Sequence, residues 1–110
     1  MSKVSLAAVT RHQLEHARAA TSGRSAESLY SGHEKVLRQT VIALTAGRKL
    51  DEHESPGDAT LQVLQGRIVL HAGDVSWPGR TGDLLIIPPE RHWVEAVEDA
   101  VFLMTVAKRA

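Results

Sequence analysis

From Lys35 onward the chain is cut into short pieces by glycine and proline, and none of the pieces has helical spacing. Aliphatic and β-branched residues fill the runs 36–44, 60–64, 67–71, 75–77, 83–87, 92–97 and 100–107. Such residues suit a pleated, half-buried surface. Between the runs stand Ala46-Gly47, Gly66, Ala72-Gly73-Asp74, Pro78-Gly79, Pro88-Pro89 and Glu98-Asp99, all turn chemistry. Short strands at close spacing predict an all-β sandwich or barrel. A parallel α/β sheet would need crossover helices, and this region has none. Ala72-Gly73-Asp74 predicts a tight hairpin. Gly66 marks a turn or a close backbone approach, and Pro78-Gly79 is expected to end the strand before it.

The first third reads differently. Thr10-Arg11-His12-Gln13 has the form of a capping box. Gln13 to Ala20 is rich in helix formers, and Ser22-Gly23 gives a stop. The expectation is one short helix over 11–20, with Ser22 to Gly32 as loop. Residues 1–34 are then a helix-and-loop extension, and 35–110 the barrel. A length of 110 residues suits one domain, and 43% apolar content supplies its core.

Charge narrows the partners. Thirteen basic residues balance thirteen acidic ones, so the excess typical of nucleic-acid binders is missing. No run of like charge suggests a membrane surface, and no apolar run approaches the ~18 residues of a span. Without cysteine there is no disulfide framework, thiolate zinc site or thiol nucleophile. The first residues lack the apolar stretch of a signal peptide, which makes the cytoplasm the expected compartment.

Six histidines remain as candidates for chemistry. His12-Gln13-Leu14-Glu15-His16 spells an inverted zinc-protease pattern, and residues four apart share a helix face. A short helix on a small barrel offers neither a third ligand nor a cleft, so a solvated face is expected. His33 and His71 lie near turns and are expected at the surface. Trp77 and Trp93 read as core or interface anchors. Alternation puts Trp93 on the face opposite His92. The same rule sends Arg38 or Gln39 toward the interior, where a polar group suits a ligand with oxygen acceptors.

Two segments stand out as a pair. Gly47 is followed by five residues and His53, and the stretch closes at Gly66. Gly82 is followed by five residues and Pro88, and then by His92. Each is a glycine turn, an extended stretch and a histidine at a strand boundary. Hairpins between them would bring the two strands together across a barrel interior, and convergent imidazoles in its mouth form a small-molecule or metal site.

These residues resemble the two ordered motifs of the cupin superfamily. The first motif reads G-x5-H-x-H-x3,4-E-x6-G and the second G-x5-P-x-G-x2-H. Gly47, His53, Gly66, Gly82 and Pro88 match, while His92 falls one position short of the family spacing. The likeness covers about residues 35–107. It implies a cupin-type jelly-roll β-barrel, often dimeric, and thus a homodimer here. Metal-binding cupins use three histidines and a glutamate. By spacing, Ser55 stands at the second histidine and Ala59 at the glutamate, and Glu90 replaces the second motif's glycine. Only His53 and His92 carry over as metal positions, enough for a weakly held divalent ion. Glu52 and Glu54 should point away from His53 on a regular strand. Two functions stay open. One is a small-molecule-binding domain whose pocket is lined by His53, Ser55, Ala59 and His92. The other is a metal-dependent enzyme of dioxygenase, isomerase or decarboxylase type using His53 and His92.

Overall fold

The computed structural model describes residues 2–54 and 57–108. One helix, α1 (Leu6–Ala19), precedes nine strands. These are β1 (Arg24–Tyr30), β2 (Leu37–Leu44), β3 (Lys49–His53), β4 (Gly57–Gln65), β5 (Arg67–Ala72), β6 (Val75–Arg80), β7 (Leu84–Ile86), β8 (His92–Ala96) and β9 (Ala100–Lys108). They form a five-stranded sheet in the order β1-β2-β9-β4-β7 and a four-stranded sheet in the order β3-β8-β5-β6. Every strand pair is antiparallel. The sheets face each other as a jelly roll, without a hydrogen-bonded seam closing them into a barrel among the described residues.

Alternation along the strands builds the core between the sheets. Leu44, Leu61, Val63 and Phe102 from the larger sheet meet Ile68, Leu70 and Val94 from the smaller. The outer face of the larger sheet is covered by α1. Leu14 and Ala17 of the helix pack with Val41, Ala43, Val101 and Leu103 in a second apolar layer. The outer face of the four-stranded sheet has no such cover among the described elements.

The helix begins earlier than its capping box suggests. Ser5 is the N-cap, its hydroxyl accepting from Ala8 N–H at 3.2 Å. Thr10 and Gln13 are instead buried mid-helix residues facing the sheet. Leu6 and Val9 pack on the second layer, which favours the earlier start. Arg24–Tyr30, read as loop, is an edge strand paired with β2. Its few apolar residues conceal it, because backbone pairing and polar links to α1 hold it in place. Ser25 bonds the Gln13 side-chain carbonyl, whose amide donates to Glu27 at 2.8 Å. Strand β6 runs through Pro78-Gly79 rather than stopping there. As an edge strand it can place proline's missing donor toward solvent.

Asp99 ties three segments together. One carboxylate oxygen accepts from Ala46 N–H and the other from Arg18, both at 2.9 Å. The Ala46 amide first, and then Arg18, holds this carboxyl below its ordinary range.

Gly66, between β4 and β5, has φ +86°, and a Cβ there would lie 2.1 Å from the Asp99 carbonyl oxygen. Both the left-handed backbone and the contact forbid a side chain. Gly66→Ala is therefore expected to cost at least about 2 kcal/mol, read as a lower urea midpoint. An unchanged midpoint would show that the β8–β9 turn moves aside freely.

Candidate functional site

The site rests on an irregularity in β3. In the β3–β8 ladder Leu50 opposes Val94, but the next pair is His53 opposite His92. Three steps on β3 match two on β8. Leu50 packs on the core, so regular alternation would turn His53 outward. The extra residue reverses that parity and puts His53 beside His92. Their ring centroids are 4.4 Å apart at 63°. The two histidines are thus neighbours on adjacent strands of one sheet, rather than partners facing across the interior.

Backbone carbonyls fix both rings. His53 Nδ1 donates to Asp51 O at 2.8 Å, and His92 Nδ1 donates to Glu90 O at 3.0 Å. A carbonyl only accepts, so each neutral ring carries its proton on Nδ1 and its lone pair on Nε2. His92 is fully buried, and its Nε2 has no hydrogen-bond partner among the described residues. Burial lowers its pKa below the ordinary histidine value, more than the Glu90 carbonyl raises it, and the neighbouring His53 adds to the lowering.

The other candidate positions fall around this pair. Ala59 lies in the core cluster on the opposing sheet, where its methyl supplies no ligand atom. Ser55 lies outside the described residues. Glu52 and Glu54 are exposed and held by Arg91, at 2.9 Å and 3.6 Å. They follow the outward phase expected of them and leave no carboxylate on the imidazoles. Arg38 is the residue of its pair that takes the interior phase, in step with Ile42 and Leu44. Its guanidinium donates to Gly32 O at 3.1 Å. Gln39 takes the helix side and bonds Thr105 at 3.3 Å.

Register sets which end of the sandwich these groups share. Val106 opposes both Arg38 and Ala59, giving one row across the larger sheet. The far end of β8, at Ala96, bonds Gly47 and Arg48 beside the Leu44–Ala100 end. His92 therefore sits at the same end as Arg38 and Ala59.

Elsewhere the structure sorts the remaining candidates. His12 and His16 lie with ring centroids 4.3 Å apart, tilted at 49°, on the exposed side of α1. His33 is exposed. His71 is half-buried, not a free surface group: it stacks on Trp93 at 3.9 Å and bonds Glu95 at 2.8 Å. Trp93 does lie opposite His92, with Lys49 Nζ 5.0 Å from its ring. Trp77 is partly exposed on the edge strand β6 and anchors no core. The His71–Trp93–Glu95 group escaped the sequence because its members are cross-strand neighbours, visible only in register.

No protein-family sequence model matches the chain, and no curated protein sequence matches it. Solved structures do. A conserved protein of unknown function from Streptococcus pyogenes superposes with TM-score 0.74 at 25% identity, covering 83% of this chain and 79% of that one. A cupin superfamily protein from Desulfitobacterium hafniense gives 0.72 at 18%, covering 78% of each. An RmlC-like cupin family protein with a double-stranded β-helix fold, from Methanocaldococcus jannaschii, gives 0.69 at 17%, covering 77% and 80%. The fold is that of the cupin superfamily.

That fold raises the question of a metal. A catalytic site keeps about three protein ligands. Here two imidazole nitrogens are presented, and no group of three metal-ligating side chains occurs among the described residues. The described donor set therefore does not fit a three-ligand centre.

Protonating His92 must disrupt a buried neutral ring. The unfolded histidine takes up its proton near pH 6.5, before the folded one does. Stability due to the neutral ring is present above about pH 6.5 and falls as pH drops toward the lower folded value. Comparing melting temperature between pH 7.5 and 5 in the native chain and in His92→Leu should show a smaller acid loss in the variant. Equal losses would mean His92 titrates normally.

Proposed function

We propose that this cupin domain binds a small molecule at the His53–His92 end of the sandwich. The observation that carries the reading is the buried Nε2 of His92, which is unpartnered among the described residues. Burying an acceptor without a donor costs about 1–3 kcal/mol, and such an atom is suited to a ligand hydroxyl or amine. Arg38, on the interior phase at the same end, would complement oxygen acceptors on that ligand. With Ala59 and the Arg91-bound glutamates contributing no carboxylate, the site favours recognition over metal catalysis.

His92→Leu separates a ligand-binding histidine from a structural one. The variant should be as stable as the native chain or about 1 kcal/mol more so, since the orphaned acceptor is gone. It should also lose the thermal stabilisation that small hydroxy- and amino acids give the native protein. A loss of several kcal/mol in the variant would instead mark a satisfied core histidine and defeat the proposal.

A second reading draws on the tautomers. Both rings donate Nδ1–H to a backbone carbonyl and leave Nε2 free, as metal-ligating histidines do. This supports a metal-dependent cupin enzyme, or a weakly held divalent ion, at His53 and His92. One equivalent of metal retained by untagged protein after dialysis against a chelator would favour it over the first reading.

The family likeness also suggests a homodimer. Leu84 and Ile86 are exposed on β7, an edge strand with one neighbour. Light scattering after gel filtration should give about twice the 12.0 kDa chain mass. A value near the chain mass itself would show a monomer.

A further inference from the structure

We infer that the outer face of the four-stranded sheet carries an anion site at Arg67 and Arg80, suited to a small carboxylate with an apolar body. The two arginines are direct cross-strand partners at the open end of the β5–β6 hairpin. Ile68 and Leu70 point into the core, so Arg67 and Val69 point outward. Their partners Arg80 and Pro78 share that face. Opposed residues in an antiparallel pair have Cβ atoms about 5 Å apart, and like charges there repel. Neither guanidinium takes part in an ion pair or side-chain hydrogen bond among the described residues. This like-charge pair stands uncompensated in a chain whose formal charge is zero.

The pair borders a cleft of about 330 Å³, floored by Val69 and Pro78 and walled by Val97. The nearby carboxylates do not neutralise it. Asp83 accepts the Arg80 backbone N–H through Oδ2 at 3.0 Å, and Glu98, whose amide bonds Arg67 O, forms no ion pair with either guanidinium among the described residues. Glu95, opposite Val69 on β8, is bonded to His71.

The backbone under both arginines is fixed before any ligand arrives. Arg67 O accepts from Val97 and Glu98, and Arg80 bonds Asp83 in both directions. Just beyond them Thr81 and Gly66 exchange hydrogen bonds that close the hairpin. Two planar donor forks carried on this fixed backbone beside an apolar floor match a carboxylate attached to a ring or short chain. The volume is at the lower end for small-molecule sites. This cleft is separate from the interior site, and the inference does not rest on the function proposed there.

Amide chemical shifts of the ¹⁵N-labelled full chain, titrated at low ionic strength with benzoate and separately with inorganic phosphate, test it. Benzoate should produce saturable shifts at Arg67, Val69, Arg80 and Val97. Affinity should fall at least about tenfold in Arg67→Gln/Arg80→Gln, with phosphate the weaker ligand of the native protein. Should the double variant misfold, Arg67→Gln and Arg80→Gln singly must each weaken benzoate. No saturable shift at these residues, shifts confined to the His92 end, or unchanged affinity in a folded variant would each overturn the site. Phosphate binding as tightly as benzoate would overturn the apolar half of the assignment.

Discussion

Strand β9 is the member on which both the core and the site depend. It is paired with β2 along eight consecutive residues without a break, and with β4 on its other side. Its inward residues Ala100, Phe102 and Met104 face the four-stranded sheet, while Val101 and Leu103 face α1. One strand thus supplies both apolar layers, and its register dictates which residues of β2 and β4 share a row. The Arg38–Val106–Ala59 row is a direct product of that register. The histidines answer to it indirectly, because β8 is located by packing Val94 and Ala96 against the β9 side of the core.

Much of the architecture was legible because turn chemistry is local. Ala72-Gly73-Asp74 and Gly66 mark turns through backbone demands that a few residues express by themselves. Strand β1 was not legible, because an edge strand held by pairing and polar contacts carries little apolar alternation. The helix is capped at Ser5, five residues before the Thr10 capping box, because an N-cap is confirmed only by what the next turn packs against. Packing of Leu6 and Val9 on the second apolar layer draws the first turn in ahead of Thr10. Pro78 misled for a related reason: whether proline ends a strand depends on whether the strand has a neighbour on that side.

The candidate site was legible in its residues but not in its geometry. Spacing picked out His53 and His92 and showed that Ala59 cannot act as a ligand. It could not show that the two rings touch, since an irregular ladder step has no sequence signature of its own. The fate of Glu52 and Glu54 followed from alternation, yet their capture by Arg91 needed the register of β3 against the 90–92 segment. The His71–Trp93 stack and the Arg67–Arg80 pair are cross-strand facts of the same kind.

The extra residue in β3 makes the position of His53 a question of parity. A point substitution can change what stands at that position, but it leaves the count of residues between Leu50 and His53 unchanged. Deleting one of the two intervening residues would leave two steps against two, a regular ladder in which the imidazole still faces inward opposite His92, whereas a regular three-against-three ladder would carry it out to solvent. The interior imidazole pair therefore depends on how the ladder accommodates the residues between Leu50 and His53, and not on which side chains Asp51 and Glu52 carry.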